Sequence, residues 1–279
     1  MLSDAEAIRR RVERLTSLPT LPGIVEKLAV EVEDEQASAE EIGRMISADQ
    51  VLSAKVLRLV NSAYYGFPGR ISTVTHALVL LGFNVIKGLV LSAAVLDMMK
   101  EGVAGLWEHS CACSLIAGRL STLLELEAPE EVAVAALIHD LGKVIICVEL
   151  PQEFQRIQSH QRMARCSLRE AEEEILHGVN HADIAGWLGD EWRLPARLIE
   201  PIRYHHAPAS SQFAPRQTAV VHLADILTRA HCFGYGGDPL VPPIEPRALE
   251  SLGIRLSDLE DMIMALPAEL EELDVAAFG

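Results

Sequence analysis

The sequence predicts an all-α fold built from two helical lobes. Hydrophobic residues make up 49% of the chain and aromatic residues only 5%, a composition that suits packed helices better than a β-sandwich. Apolar residues recur at three- and four-residue steps, and we find few alternating strand patterns and no Asn-Gly hairpin signal. Helices of ordinary length would number about a dozen over such a chain.

Helix boundaries can be predicted from capping signals and prolines. Pro129 suits the first turn of a helix that continues through VAVAALIHDLGKVII, residues 132–146. Pro195 opens a helix that ends near His206. Ser3, Ser38 and Ser167 each begin an S-x-x-E capping box.

Two interruptions divide the chain into three predicted regions. The segment DMMKEGVAGL, 97–106, separates an N-terminal helical lobe, residues 1–100, from a second lobe, residues 101–238, that carries nearly all the histidines. The Gly- and Pro-rich segment 233–246 marks a second break. The tail, residues 239–279, is helical and rich in Asp and Glu, as expected for a solvated face.

The charge balance limits the partners. A net charge of −16 and a pI of about 5.0 mean that the surface repels phosphates, so nucleic-acid binding is disfavoured. A small phosphorylated ligand would need a metal or a local Lys/Arg cluster to neutralise it.

The terminal and cysteine patterns indicate a cytoplasmic protein. The N-terminus lacks the apolar core of a signal peptide, and the most apolar window, 74–96, is too interrupted to span a membrane. The five cysteines are scattered and odd in number, as expected for free thiols in a reducing compartment.

A set of histidines and aspartates lies within apolar helical segments of the second lobe. Unpaired buried charges are costly, so they are usually paired or given a metal, and imidazole and carboxylate are ligands that Fe, Mn and Zn accept. Helices packed through these apolar faces would bring the ligands together. In chain order they are His109, His139, Asp140, His181, His205, His206 and Asp225.

Other histidines have simpler interpretations. A lone histidine on an apolar face is more often a hydrogen-bonded core residue than a ligand, and we interpret His76 and His222 in this way. We expect His160, His177 and His231 at the surface. The adjacent HD and HH pairs are harder to supply with hydrogen-bond partners inside apolar helices. They therefore indicate a metal site or the remnant of one.

The ligand set resembles the H…HD…D signature of the HD superfamily of metal-dependent phosphohydrolases. His181, His205 and His206 are similar to the additional ligands of its binuclear members, including HD-GYP phosphodiesterases. The resemblance implies two divalent ions, Fe or Mn, with Asp140 bridging them. The first ion would take His109, His139, Asp140 and Asp225, and the second would take His181, His205 and His206. Lys143 could then meet a substrate phosphate, or it could equally be a lysine extending from an apolar helix.

The chain resembles the HDOD domain, the HD-related output domain of bacterial signalling proteins, over roughly residues 18–238. The longer part of the similarity begins at LPTLPGIVEKL, residues 18–28, and continues through residues 38–95, and HADIAGWLGDEWRLP, IRYHHAP and HLADILTRAHCFGYGGD in the second lobe also resemble the family. In NSAYYGFPGRIS, residues 61–72, we expect Ser72 to cap the next helix. The segment also contains three aromatic residues, Tyr64, Tyr65 and Phe67. They would either pack in the core between the two lobes or form a docking surface for a partner.

The chain departs from the HD-GYP pattern. Gly105 stands four residues before His109, where a Glu is expected, and HHAPAS replaces the acidic continuation after the HH pair. GYGGD, residues 234–238, follows Asp225 and is therefore not the GYP motif. Hydrolysis of cyclic di-GMP is disfavoured, while metal binding is still predicted.

Three functions remain open. We favour a signal-transduction module that works through a signalling protein partner or a small phosphorylated ligand; no receiver, GGDEF or EAL domain fits the remaining residues. The alternative is a metal-dependent phosphohydrolase or phosphodiesterase acting on a phosphorylated or nucleotide substrate, with Asp140 and Lys143 in catalysis. Oxidative chemistry at a di-iron centre is a third possibility that nothing in the sequence selects.

Overall fold

The computed structural model describes residues 4–13, 38–61, 71–255 and 264. Within these ranges every regular element is helical and no strand occurs, as the sequence predicts. The helices are α1 (Asp4–Glu13), α2 (Ala39–Ser47), α3 (Gln50–Val60), α4 (Val74–Leu81), α5 (Phe83–Gly102), α6 (Leu106–Leu123), α7 (Pro129–Ile138), α8 (Leu141–Glu149), α9 (Pro151–Ala164), α10 (Leu168–Ile175), α11 (His181–Glu191), α12 (Ala196–Tyr204), α13 (Pro215–Ala230) and α14 (Pro246–Leu252), with a 3-10 turn at Pro208–Ser210.

Helices α6, α7 and α13 form the centre of the molecule. Helix α6 packs against both α7 and α13, and α12 lies against both α7 and α13. All seven residues from Val132 to Ile138 in α7 are buried, and small residues let neighbouring helices approach closely. At Gly88 in α5, for example, an added Cβ would overlap the side chain of Val134. The predicted metal ligands lie on or beside these central helices.

The HD pair lies at a break between two helices, which corrects the expectation of one continuous helix over residues 132–146. Helix α7 ends at Ile138 and α8 begins at Leu141. Asp140 takes the N-cap position with φ −94° and ψ 10°, but its side chain makes no capping hydrogen bond. An N-cap aspartate ordinarily accepts from the backbone of its own helix; here the carboxylate is directed into the interior instead.

The capping signals are largely confirmed. Capping boxes form at Ser38 and Ser167, and Pro129 occupies the first turn of α7. Ser3 lies outside the described residues. The expectation for Ser72 is wrong: Thr73 is the N-cap of α4, and its hydroxyl accepts a hydrogen bond from the backbone of His76 at 3.2 Å.

The two-lobe division stays a prediction, and part of the pattern behind it lies outside the described residues. These parts are residues 18–28, the aromatic segment 62–70 with Tyr64, Tyr65 and Phe67, and the tail beyond 255 except 264. Helix α5 continues to Gly102, so the predicted interruption shortens to residues 103–105. Helix α1 packs on α11 of the second lobe, and Arg11 pairs with Glu153 at 3.1 Å.

In the part of the chain that the structure describes, no helix is both long and apolar enough to cross a membrane. This agrees with the interrupted pattern of the apolar window 74–96.

The close approach of α8 to α11 is expected to be sensitive to a single methyl group. At Gly142 an added Cβ would overlap the backbone carbonyl of His181, so Gly142→Ala should push α8 away from the first turn of α11. We expect a loss of about 1–3 kcal/mol in the free energy of unfolding, measured by urea denaturation. Gly102→Ala is the matched control, because there the nearest atom is 3.4 Å away. Equal stability of the two variants would contradict the packing described.

Candidate metal centre

The structure brings all seven predicted ligands together, with six of them buried and His206 half-buried. His109 comes from α6, His181 from the first turn of α11, and Asp225 from α13. The HD pair comes from the α7–α8 break, and the HH pair directly follows the last residue of α12. Asn180 caps α11 through a reciprocal pair of bonds with Asp183, which fixes where His181 starts the helix.

One group of ligand atoms surrounds Asp225 and one oxygen of Asp140. Asp225 Oδ1 lies 3.1 Å from Nε2 of His109 and 3.9 Å from Nε2 of His139. Asp140 Oδ2 lies 3.6 Å from Nε2 of His109 and 3.3 Å from Nε2 of His139. This is the first ligand set that the resemblance implies.

The second group surrounds the other oxygen of the same carboxylate. Asp140 Oδ1 lies 3.3 Å from Nε2 of His181 and 3.9 Å from Nε2 of His205. His206 Nε2 lies 2.9 Å from Nε2 of His181. Asp140 therefore stands between the two sets with one oxygen toward each.

Hydrogen bonds at the far side of the imidazoles aim their Nε2 atoms inward. Nδ1 of His139 donates to the carbonyl of Ala136, and Nδ1 of His205 donates to the carbonyl of Ile202, both at 2.7 Å. Nδ1 of His181 donates to Oε2 of Glu172 at 2.5 Å. With the proton on Nδ1, each Nε2 carries a lone pair that faces the centre, as in metal-binding histidines.

Three buried atoms at the centre have no hydrogen-bond partner among the described residues. They are His139 Nε2, His205 Nε2 and Asp140 Oδ1. All three are acceptors, so they cannot satisfy one another, and unpaired buried acceptors are costly. A divalent cation would satisfy them, and the residues present fit that group.

The electrostatics keep most of the ligands in the form that binds a metal. Burial lowers the pKa of His109, of His205 and of His206, and neighbouring imidazoles act in the same direction. Burial opposes ionisation of Asp140, but His139 and Lys143 outweigh it and hold the pKa of the carboxyl well below its usual range. Neutral imidazole and ionised carboxylate are the coordinating forms.

Two cationic side chains, one buried and one largely shielded from solvent, also contact the carboxylates. Lys143 Nζ lies 2.6 Å from Asp140 Oδ2, and Arg229 Nε lies 2.8 Å from Asp225 Oδ1. The buried carboxylates in and around the centre are Asp140, Asp225, Glu172 and Asp238. Four carboxylates against two cations leave a formal charge of −2 when the imidazoles are neutral, so the centre attracts additional cations.

His181 can carry part of this compensation. Burial disfavours its charged form, but the adjacent Glu172 outweighs burial and raises the pKa of His181. A protonated His181 would reduce the negative charge in the absence of metal.

Residues 234–238, the GYGGD segment, form a covering loop over the first ligand set. A Cβ at Gly236 would lie 3.3 Å from Nε2 of His109, so a side chain there would crowd the imidazole. The loop is fixed at both ends of the site: Tyr235 N donates to the carbonyl of Gly105 at 2.9 Å, and Lys143 Nζ donates to the carbonyl of Gly236 at 2.7 Å. Asp238 accepts from Leu168 N at 2.8 Å.

Sequence reasoning missed several residues of the centre. Cys113 Sγ lies 3.5 Å from Nε2 of His109. Burial raises the pKa of Cys113 well above its usual value, so its thiol stays protonated. Cys113 and Arg229 each follow a predicted ligand by four residues on the same helix, a spacing that could have revealed them. Glu172 and the covering loop carry no such signal, because they reach the centre only through tertiary packing.

The remaining histidines divide between confirmed and corrected expectations. His222 is a structural core residue: Nδ1 donates to the carbonyl of His205 at 2.7 Å and Nε2 accepts from Glu245 N at 3.0 Å. The core interpretation of His76 is wrong, because the residue is exposed. His177 is exposed as expected, while His160 and His231 are half-buried. All five cysteines are thiols outside any disulfide, also as expected.

A mutation at Glu172 tests the orientation of His181. Glu172→Gln keeps the shape but weakens the bond to Nδ1, so we expect about 10- to 100-fold weaker metal binding, measured by titration with Mn²⁺. Glu174→Gln, on the exposed part of α10, should leave affinity unchanged. Equal affinities in both variants would contradict the role assigned to Glu172.

The pKa shifts predict how the stability of chelated protein depends on pH. His109, His205 and His206 have lowered pKa values in the folded state, so the unfolded chain binds protons that the folded chain does not. Their contribution is lost as the pH falls through the ordinary value of 6.5. The raised pKa of His181 has the opposite effect on stability, but it is one histidine against three. Thermal denaturation in chelator should therefore show a falling Tm below that pH; a Tm that rises there would contradict the assignment.

Comparison with known proteins gives the family. The family model of the HDOD domain matches residues 18–208. An uncharacterized protein of Treponema pallidum (strain Nichols) is 26% identical over 201 residues, which are 70% of this chain but only 38% of that protein. The chain thus spans well under half the length of this curated relative.

Three crystal structures share the fold. An HDOD domain protein with unknown function from Geobacter sulfurreducens is 25% identical, with a TM-score of 0.68 and coverage of 96% of this chain and 98% of that chain. A protein of Shewanella amazonensis SB2B named "putative phosphohydrolase" is 22% identical, with a TM-score of 0.68 and coverage of 99% and 96%. A protein of Marinobacter aquaeolei VT8 named "putative signal transduction protein" is 19% identical, with a TM-score of 0.71 and coverage of 99% and 65%. With the family model matching most of its length, the chain belongs to the HDOD domain family.

Proposed function

We propose that the protein is an HDOD-type bacterial signal-transduction module whose metal centre is a sensing and structural element rather than an open active site. The observation that carries this proposal is the enclosure of the ligands. His109, His139, Asp140, His181 and His205 are each at most 1% exposed, whereas His206 of the second ligand set is half-buried. The backbone of Gly236 lies beside the imidazole of His109. A substrate would have to displace the covering loop to reach the first ligand set.

The proposed occupants of the centre are two divalent transition ions, Fe or Mn. Imidazole and carboxylate donors suit both, and Asp140 presents one oxygen to each ligand set. Such ions supply Lewis acidity and can activate water for attack at phosphorus. In this chain the ligands also link α6, α11, α12 and α13 to the α7–α8 break, so binding energy at the centre becomes folding energy.

The proposed output is a noncovalent contact with a signalling protein or a small phosphorylated ligand. Occupancy of the centre would bias the covering loop, because Lys143 contacts both Asp140 and the loop carbonyl of Gly236. A group that binds both a ligand carboxylate and a surface loop supplies a physical connection between the interior and the surface. The name of the Marinobacter structure agrees with a signalling role.

Phosphodiester or phosphomonoester hydrolysis is the alternative, and a specific observation favours it. The second ligand set is complete, and Lys143 lies between the centre and a cavity of about 330 Å³. For hydrolysis, Lys143 would dissociate from Asp140 and bind a substrate phosphate. Asp140 would orient the histidines of both ligand sets. The name of the Shewanella structure agrees with this reading.

Replacement of the bridging carboxylate tests metal binding. Asp140→Asn removes the charge shared by both ligand sets and leaves the ammonium group of Lys143 without a carboxylate partner, so we expect loss of bound metal and lower thermal stability. The measurement is elemental analysis after anaerobic purification, with a thermal melt. Asp190→Asn, at an exposed aspartate paired with Arg203, is the control. Unchanged metal content in Asp140→Asn would overturn the centre.

Turnover separates the two functions. We expect metal-loaded wild-type protein to hydrolyse bis(p-nitrophenyl) phosphate no faster than the Asp140→Asn variant. Hydrolysis that requires the metal and is abolished by Asp140→Asn would show that the protein is a phosphohydrolase rather than a signalling module.

A further inference from the structure

We propose that the cavity beside the metal centre binds a nucleoside monophosphate whose base presents an N–H next to a C=O, as guanine and uracil do. This inference rests on the proposed function and deepens it, because it names the small phosphorylated ligand of the module. Its support comes from the position of the cavity, the polar groups on its floor and the side chains along one face of α9.

The cavity has a volume of about 330 Å³, at the lower end of the range for small-molecule sites. It lies between α8, α9 and α10 and is bounded by the covering loop. Its floor contains Lys143 and Glu172, which contact two of the candidate metal ligands, Asp140 and His181. A ligand here would touch the groups that orient the centre without entering it.

The floor combines a carboxylate with an ammonium group. Glu172 is 2% exposed, and its Oε2 accepts both hydrogen bonds from His181. Its Oε1 accepts none from the described residues. Lys143 Nζ donates to Asp140 and Gly236, which leaves one of its three N–H groups. One acceptor and one donor match a lactam edge, in which a ring N–H donates and the adjacent carbonyl accepts.

The walls supply aromatic area and an amide. Phe154 and Gln158 are four residues apart on α9 and line the cavity, and Tyr235 of the covering loop lines it as well. Base–aromatic stacking is worth about 1–3 kcal/mol per base in single-stranded nucleic-acid binding. The amide of Gln158 has no hydrogen-bond partner in the described part of the chain, so it can bind a polar edge of the ligand.

The rim supplies one cation for one phosphate. Arg162 is exposed, lines the cavity, and forms no ion pair with any residue that the structure describes. A guanidinium is the side chain best suited to bind phosphate with two parallel bonds. Because the whole chain carries a net charge of −16, a ligand with a single phosphate is favoured over a more highly charged one.

The contacts of the floor predict coupling to the metal centre. If a nucleotide accepts a hydrogen bond from Lys143 or donates to Glu172, it changes the environment of Asp140 or His181. Coupling of this kind is reciprocal, so the metal must change nucleotide affinity by the same factor that the nucleotide changes metal affinity.

Isothermal titration calorimetry of the full chain tests the inference, with GMP, UMP, AMP and CMP as probes and inorganic phosphate as the reference. We expect GMP and UMP to bind at least about tenfold more tightly than AMP and CMP, because the wrong edge leaves a buried donor or acceptor unpaired. Gln158→Leu and Arg162→Ala should each weaken GMP binding about tenfold. Gln155→Leu and Arg156→Ala, at exposed positions on the same helix, should not.

Two results would overturn the inference. The first is no heat of binding for any nucleotide at millimolar concentration. The second is equal binding of all four nucleotides, or of phosphate alone, because the cavity would then not read a base.

The same titrations on metal-loaded and chelated protein separate this inference from the proposed function. Metal binding without nucleotide binding would leave the metal centre standing and remove the ligand site. Selective nucleotide binding by protein that takes up no metal would leave the ligand site standing and remove the metal centre.

Discussion

The structure depends on one buried carboxylate, that of Asp140. It is fully shielded from solvent, and its two oxygens face two different groups of imidazoles. An ionised carboxylate in such a position is stable only if cations or hydrogen-bond donors surround it. The break between α7 and α8, the close approach of α11 at Gly142 and the inward direction of the histidines can all be understood as consequences of placing that group.

The compensating groups explain why the centre is connected to the surface. Lys143 contacts Asp140, Arg229 contacts Asp225, and both cations also bind backbone carbonyls that follow α13, those of Gly236 and Leu240. Any cation that enters the centre competes with Lys143 and Arg229 for the same oxygens. The covering loop, together with Leu240 just beyond it, is therefore hydrogen-bonded to the same two cations that contact the buried carboxylates, and the proposed signalling role depends on this connection.

Much of the centre could be predicted from the sequence, because ligand type and order are local features. The HD and HH pairs, His109, His181 and Asp225 stand in apolar segments, where a polar or charged side chain needs a partner or a metal. The break at the HD pair could not be predicted, since residues 132–146 are continuously helical in pattern and the break follows from where Asp140 points. Glu172, Gly236 and the cavity could not be predicted from the sequence either. They are brought together only by the packing of helices α8 to α10 and of the loop that follows α13.

Anomalous diffraction at the manganese edge, from crystals of the protein grown with Mn²⁺, would show whether the seven ligands hold two ions. We expect two anomalous peaks, one among His109, His139 and Asp225 and one among His181, His205 and His206, with Asp140 contacting both. Lys143 should be displaced from Asp140 Oδ2 in the same map. Crystals that bind Mn²⁺ elsewhere, or that retain the Lys143–Asp140 pair with no peak between the histidines, would contradict the two-ion centre.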